Sequence, residues 1–132
     1  MLQTLSLLIL LKVRLLMTNH GFGLLYEMGC GKTLTAIAIT GAAFLKGKVK
    51  KLLVVAPASV VPVWSKEFDN FADFPYMVGT MQGTANKKIE ILKRLQLSEQ
   101  HMSKPMLYVA VINYESVWRE QIFDTIKKWN PD

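Results

Sequence analysis

Cysteine, histidine and paired carboxylates are scarce in this chain of 132 residues. Its single cysteine, Cys30, excludes an intrachain disulfide and a cysteine-based zinc site, and it fits a reducing, cytoplasmic setting. The two histidines are isolated in the sequence, so we assign them no metal role. Glu27, Glu67 and Glu115 are scattered, and no acid/base pair can be inferred from them.

Long apolar runs are also absent. Leu5 to Leu11 is almost wholly apolar, but Lys12 and Arg14 interrupt it well short of a membrane span. A secretory signal carries positive charge before its apolar run, whereas here the charge follows and no small-residue cleavage site is evident. We therefore predict an apolar helix of unclear role over residues 1–20, packed on the rest of the domain or on a missing part of it, and no stable membrane association. Membrane attachment is the weaker alternative.

The composition favours a folded, basic protein. Apolar residues make up 51% of the chain, which is enough for a core and argues against disorder. Lys and Arg total 16 against 10 Asp and Glu, giving a net charge of +6. This balance favours a polyanionic partner such as nucleic acid. Two basic runs, 46–51 and 87–94, leave open a non-catalytic polyanion-binding module, although charge runs are usually solvated faces.

The segment Tyr26–Thr33 has the sequence YEMGCGKT and follows an apolar run at 22–25 that predicts a strand. A helical pattern, Leu34 to Leu45, comes next. A strand, a Gly-rich turn and a Lys-Thr pair that opens a helix are typical of nucleoside-triphosphate sites. Backbone N–H groups would face the β-phosphate, Lys32 would reach the β- and γ-phosphates, and the Thr33 hydroxyl would ligate Mg²⁺. Tyr26 stands where the strict pattern has glycine, and a plain strand-to-helix turn is the alternative reading.

The rest of the chain alternates predicted strands and helices. Buried-type strands are predicted at 52–56 and 106–112 and a short strand at 76–80, and parallel βαβ units follow from this order. Ser59 is a good N-cap for a helix whose apolar stripe is Val61, Trp64, Phe68 and Phe71. A basic helix is predicted from Thr84 to Leu97, with Lys88 among the charges around its stripe. A last helix, 115–129, places Trp118, Ile122, Ile126 and Trp129 on one face.

Three segments together resemble the Swi/Snf-type superfamily 2 helicases, and the resemblance covers roughly residues 21–132. Residues 24–33 are similar to motif I of that family, which does not keep the first glycine. Residues 53–59, followed by Trp64 and Glu67, resemble motif Ia, and residues 111–115 resemble motif Ib. Because motif Ia and motif Ib also fit, a different P-loop NTPase, such as a small kinase, is the less favoured alternative.

The resemblance implies an α/β fold: a three-layer αβα P-loop sheet of RecA-like type, mostly parallel and incomplete. Residues 21–132 would form part of an N-terminal RecA-like lobe with ATP and Mg²⁺ as cofactors. The residues assigned to nucleotide binding are Glu27, Met28, Gly29, Cys30, Gly31, Lys32 and Thr33, with Lys32 and Thr33 also assigned to catalysis and Thr33 to the metal. Those assigned to nucleic acid, with DNA the preferred partner, are Pro57, Ala58, Ser59, Asn113 and Tyr114.

The family's acidic box is expected on the strand after Trp129, where this sequence ends at Asp132. The resemblance therefore implies that the chain alone has little ATPase activity, because the acidic box and the arginine fingers of the second lobe lie outside it. The second lobe or a complementing chain is the expected protein partner. Unpaired apolar edges of the sheet would favour association.

Overall fold

The computed structural model describes residues 32–132, and predictions for residues 1–31 lie outside this range. The described elements, in chain order, are α1 (Lys32–Leu45), β1 (Lys51–Ala56), α2 (Val61–Phe71), β2 (Tyr76–Thr80), α3 (Ala85–His101), β3 (Leu107–Asn113), α4 (Tyr114–Val117) and α5 (Glu120–Trp129). The predicted strands at 52–56, 76–80 and 106–112 are confirmed to within one residue at each end.

The three described strands form one parallel sheet in the order β1-β3-β2. β3 is the central strand, and its register pairs Val111 with Val54 of β1 and Val109 with Val78 of β2. Residues 107–112 of β3 are all buried, which explains their unbroken apolar character. β1 is mostly half-buried instead, because it lies at one edge of the described part of the sheet.

Helices cover both faces of this sheet, so the three-layer αβα prediction is confirmed for the described residues. Leu107, Val109 and Val111 of β3 pack with a cluster that contains Ile37 of α1 and Phe68 of α2. The alternate residues, Tyr108, Ala110 and Ile112, join the opposite cluster, whose remaining buried members are Met81, Leu92, Leu95, Ile122, Ile126 and Trp129. Successive strand residues face opposite sides, so one strand supplies both cores.

The predicted last helix is wrong in one respect, because it breaks at Trp118. Trp118 ends α4 in a helical conformation, and Arg119 is extended (φ −67°, ψ 131°) before α5 begins. This single extended residue turns the next helix away from the first, so Trp118 is 78% exposed while Ile122, Ile126 and Trp129 remain buried. The N–H of Arg119 donates to the carbonyl of Ser116 (3.1 Å) and closes the break.

Two further predictions are corrected. Ser59 is not the N-cap of α2: Val60 occupies that position without a side-chain cap, because Pro57 O accepts the N–H groups of Val60 (2.9 Å) and Val61 (3.2 Å). The stripe of α2 is also shorter than predicted, since Phe71 is 45% exposed. No helix among residues 32–132 has the length and apolar character needed to cross a membrane.

Candidate functional site

The carboxyl ends of the three strands meet at one edge of the sheet. The register places Ala56, the last residue of β1, beside Asn113, the last residue of β3. Thr80, the last residue of β2, pairs with Val111 on the other side. The segments that follow β1, β2 and β3 therefore lie near one another, and this edge is where parallel α/β sheets bind their ligands.

The helix α1 begins at Lys32 and carries the Lys-Thr pair of the Gly-rich motif. Thr33 is half-buried, and the first turn of this 14-residue helix contains no acidic residue. Its positive end is therefore not compensated by a carboxylate of its own first turn, which suits an anionic ligand. The predicted nucleotide-binding residues 27–31 and the side chain of Lys32 lie outside the described part of the structure.

After β1, Pro57, Ala58 and Ser59 form an exposed turn. Two backbone N–H groups bond back to Pro57 O, which fixes the turn without any side-chain cap. The Ser59 hydroxyl makes no hydrogen bond to another residue of the described range, and it does not cap α2. The turn therefore presents a hydroxyl to solvent at the carboxyl edge.

At the end of β3, the side-chain amide of Asn113 is hydrogen-bonded through both its oxygen and its nitrogen. Its Oδ1 accepts from Lys88 Nζ (3.1 Å), and its Nδ2 donates to Glu115 Oε2 (2.9 Å). The pKa of the Glu115 carboxyl is lowered, first by a hydrogen bond from its own backbone N–H, then by the Asn113 amide, and least by the positive charge of Lys88. Tyr114 is 52% exposed, so about half of its surface is buried where β3 ends, and its assignment to the nucleic-acid face stays a prediction.

Lys88 is the residue that the sequence prediction placed wrongly. It was expected on the charged side of α3, yet it is only 9% exposed, and its Nζ also donates to the Ser116 hydroxyl. Its spacing from Leu92 and Leu95, four and seven residues on, could have indicated the buried face. Thr84 caps α3 by accepting the N–H of Lys87 (3.3 Å), and this cap sets the direction in which the first turn presents Lys88.

These groups surround a cavity of about 200 Å³ at the carboxyl edge. Residues that line it include Ala58, Val61, Gln82, Gly83, Lys88 and Asn113. Two predicted nucleic-acid residues, Ala58 after β1 and Asn113 at the end of β3, therefore line the same cavity as Lys88. A larger cavity of about 610 Å³, lined in part by Phe44, Met102 and Tyr108, lies near the amino ends of β1 and β3, away from this site.

Among residues 32–132, no group of three or more His, Cys, Asp or Glu side chains is placed to hold a metal ion. A divalent cation at this edge would need ligands from its own anionic partner as well as from the protein. The Thr33 hydroxyl is the described group that the sequence prediction assigns to such a role.

The chain is similar to a recognised family over most of its length. Residues 7–130 match the model of the SNF2-related domain. RAD54-like DNA repair and recombination protein of Drosophila ananassae is 29% identical over 96 residues, which is 68% of this chain and 12% of the relative. DNA repair and recombination protein RAD54B of Gallus gallus is 30% identical over 99 residues, which is 70% of this chain and 10% of the relative.

Chromodomain-helicase-DNA-binding protein 7 of Homo sapiens is 38% identical over 89 residues, which is 67% of this chain and 3% of that protein. The chain thus spans about a tenth of the RAD54-type relatives and less of this one. The match over residues 7–130 agrees with the parallel sheet and with the helix that begins at Lys32. The chain belongs to the SNF2-related, Swi/Snf-type family of superfamily 2 ATPases.

Proposed function

We propose that this chain forms part of an ATP-dependent DNA helicase or translocase. In this proposal the Gly-rich segment 27–33 binds the phosphates of ATP, and the turns after β1 and β3 bind a nucleic-acid backbone. The observation that carries it is the convergence of residues 57–59 and 113–114 on one edge of a parallel sheet. Relatives named for DNA repair and DNA binding support DNA as the nucleic acid.

ATP fits the described end of α1. A helix N-terminus without an acidic first turn attracts the β-phosphate, and Lys32 would add its charge to the β- and γ-phosphates. The Thr33 hydroxyl would ligate Mg²⁺ that arrives with the nucleotide. When bound, ATP supplies the transferable γ-phosphate, and this chain contributes only binding and orientation to that chemistry.

We expect negligible ATP turnover by these 132 residues alone. Phosphoryl transfer depends on groups that position water and stabilise charge, and one arginine finger contributes about 10³- to 10⁵-fold. In this family such groups belong to an acidic box and to a second lobe, and the resemblance assigns them to none of the described residues. Asp132 does not act as such a box in this structure, because its carboxylate accepts the backbone N–H groups of Lys50 (2.8 Å) and Lys51 (2.9 Å).

Nucleotide binding tests the ATP half of the proposal. The affinity of a fluorescent ATP analogue is measured with and without Mg²⁺ for the wild type, for Lys32→Ala and for Lys46→Ala, which removes an exposed lysine just beyond α1. We expect Lys32→Ala to weaken binding at least tenfold and Lys46→Ala to leave it unchanged. Equal affinity of the wild type and Lys32→Ala would refute the ATP site.

A second candidate, a non-catalytic polyanion-binding module, is favoured by the exposed lysines of segment 46–50 and of α3. Binding of that kind is strongly salt-dependent but independent of nucleotide. DNA affinity that does not change with ATP or with Lys32→Ala would favour this module. The cytoplasmic location stays a prediction. Relatives named for DNA repair and chromatin remodelling favour a compartment that contains DNA.

A further inference from the structure

A buried positive charge at the carboxyl edge makes no direct ion pair with a carboxylate of the described residues. Lys88 is 9% exposed and donates to two neutral acceptors, Asn113 Oδ1 (3.1 Å) and the Ser116 hydroxyl. The ion pairs within residues 32–132 are Lys51–Glu99 and Arg94–Glu90, and no carboxylate of that range lies within 4.0 Å of Lys88 Nζ. Buried charges in proteins are normally paired, because desolvation of an isolated charge is costly.

The geometry leaves Lys88 able to accept an anion. An ammonium group has three N–H donors, and the described residues provide acceptors for two of them. The nearby Glu115 does not fill the place, since its carboxylate is exposed and bonded to the far side of the Asn113 amide. The cavity of about 200 Å³ that Lys88 lines is large enough for a phosphate group.

We propose that Lys88 binds a phosphodiester group of a nucleic-acid strand in this cavity. This inference rests on the proposed function, because it assigns a residue to the nucleic-acid face proposed above. Ala58 and Asn113, on the two turns of that face, line the same cavity. Gly83 lines the same cavity and has a left-handed backbone (φ +91°), a conformation that glycine adopts without strain. Lys88 would be the cationic anchor of the strand.

The test compares Lys88→Gln, Lys88→Arg and the matched control Lys93→Gln, which makes the same change at an exposed position of the same helix. Affinity for a fluorescent 20-base-pair DNA duplex is measured with this chain across a range of salt concentrations. We expect Lys88→Gln to bind about tenfold more weakly, with a salt slope reduced by about 1, and Lys88→Arg to retain most of the affinity. A difference between Lys88→Gln and Lys93→Gln is required.

Because Lys88 is buried, Lys88→Gln is checked by circular dichroism, and a second measurement needs no variant. The ε-methylene NMR signal of Lys88 in the wild type is followed during titration with the duplex, with inorganic phosphate and with Mg-ATP. A shift that saturates with the duplex supports the inference. A shift with Mg-ATP alone would assign the cavity to nucleotide and overturn it.

Two failures are distinguishable. If the wild type binds the duplex but Lys88→Gln binds it equally well with the same salt slope, the inference is wrong and the proposed nucleic-acid function stands. If the wild type does not bind DNA at all, both fail, and the Lys32→Ala nucleotide experiment still tests the ATP site on its own.

Discussion

Gly41 in the middle of α1 provides a test in which two known effects oppose each other. Replacing a mid-helix glycine by alanine usually stabilises a helix by about 1 kcal/mol, because glycine loses more backbone entropy on folding. Here a Cβ at position 41 would lie 2.4 Å from Phe74 Cε1 and 2.9 Å from Cδ1. Favourable carbon contacts lie at about 3.5–4.0 Å, so the ring would have to move by about 1 Å.

The surroundings of Phe74 decide which effect is larger. The ring is 8% exposed and lies between Phe44, at 5.8 Å between ring centroids, and Tyr76, at 6.4 Å. A ring held in this way cannot swing aside as an exposed side chain would, and overpacking of a core costs about 1–3 kcal/mol. After the gain of about 1 kcal/mol in helix propensity is subtracted, we expect Gly41→Ala to lower the free energy of unfolding by up to about 2 kcal/mol, or the midpoint of thermal unfolding by up to roughly 8 °C.

The assay is urea or thermal unfolding followed by circular dichroism. Ala38→Gly, at a half-buried position of the same helix, measures the glycine propensity effect separately. Phe74→Leu removes the ring, so the double variant with Gly41→Ala should be more stable than the sum of the two single effects predicts, by about 1 kcal/mol. Strict additivity, or a stabilised Gly41→Ala, would refute the steric reasoning.

Four further predictions concern single polar groups. Asn113→Ala should raise the NMR-detected pKa of Glu115 while leaving it below the ordinary value, because the larger contribution of its own backbone N–H remains; an unchanged pKa would contradict the bond. Because the pKa of Glu115 is lower in the folded than in the unfolded chain, its carboxylate stabilises the fold above the unfolded pKa, and this stability is lost as pH falls. The wild type should therefore lose more stability below about pH 4.5 than Glu115→Gln does. The pKa of Tyr108 is raised, first by burial and then by the charge of Glu99. The stability that the protonated phenol contributes is therefore present below the unfolded pKa and is lost as pH rises. Stability should fall less steeply at alkaline pH in Tyr108→Phe than in the wild type, and identical pH profiles would contradict this cause. Asp132→Ala should lower the free energy of unfolding in urea by about 1 kcal/mol, because it removes two hydrogen bonds to backbone N–H groups at the start of β1. Asp124→Ala, at an exposed position, should have no measurable effect.

Local patterns in the sequence predict the strands and the layers correctly. The apolar runs at 52–56 and 106–112 indicate parallel strands, although β1 is only half-buried, and the helical spacing of Leu92 and Leu95 indicates the buried face of α3. Thr84 lies immediately before that helix and is its cap. These features depend on neighbours within one element, and a single sequence contains that information.

The predictions that failed depend on contacts between elements. Trp118 has the right spacing for the apolar face of one long helix, but spacing cannot show that Arg119 becomes extended and breaks the helix. Ser59 has the right side chain for an N-cap, but Pro57 O takes the N–H groups of Val60 and Val61 and shifts the helix start. In both cases backbone hydrogen bonding of a short turn overrides the preference of a side chain.

Lys88 shows the same limit at the candidate site. Its burial depends on the parallel pairing of β2 with β3, because α3 begins just beyond the end of β2 and its first turn therefore lies against the end of β3. In a sheet ordered β1-β2-β3, the end of β2 would separate the ends of β1 and β3, and Ala56 could not pair beside Asn113. The candidate cavity is formed by residues at the carboxyl ends of all three strands and by a lysine of α3, the helix between β2 and β3. A sequence motif describes one segment at a time. The hydrogen bond between Lys88 and Asn113 joins two segments, and it forms only when β2 and β3 pair in the folded sheet.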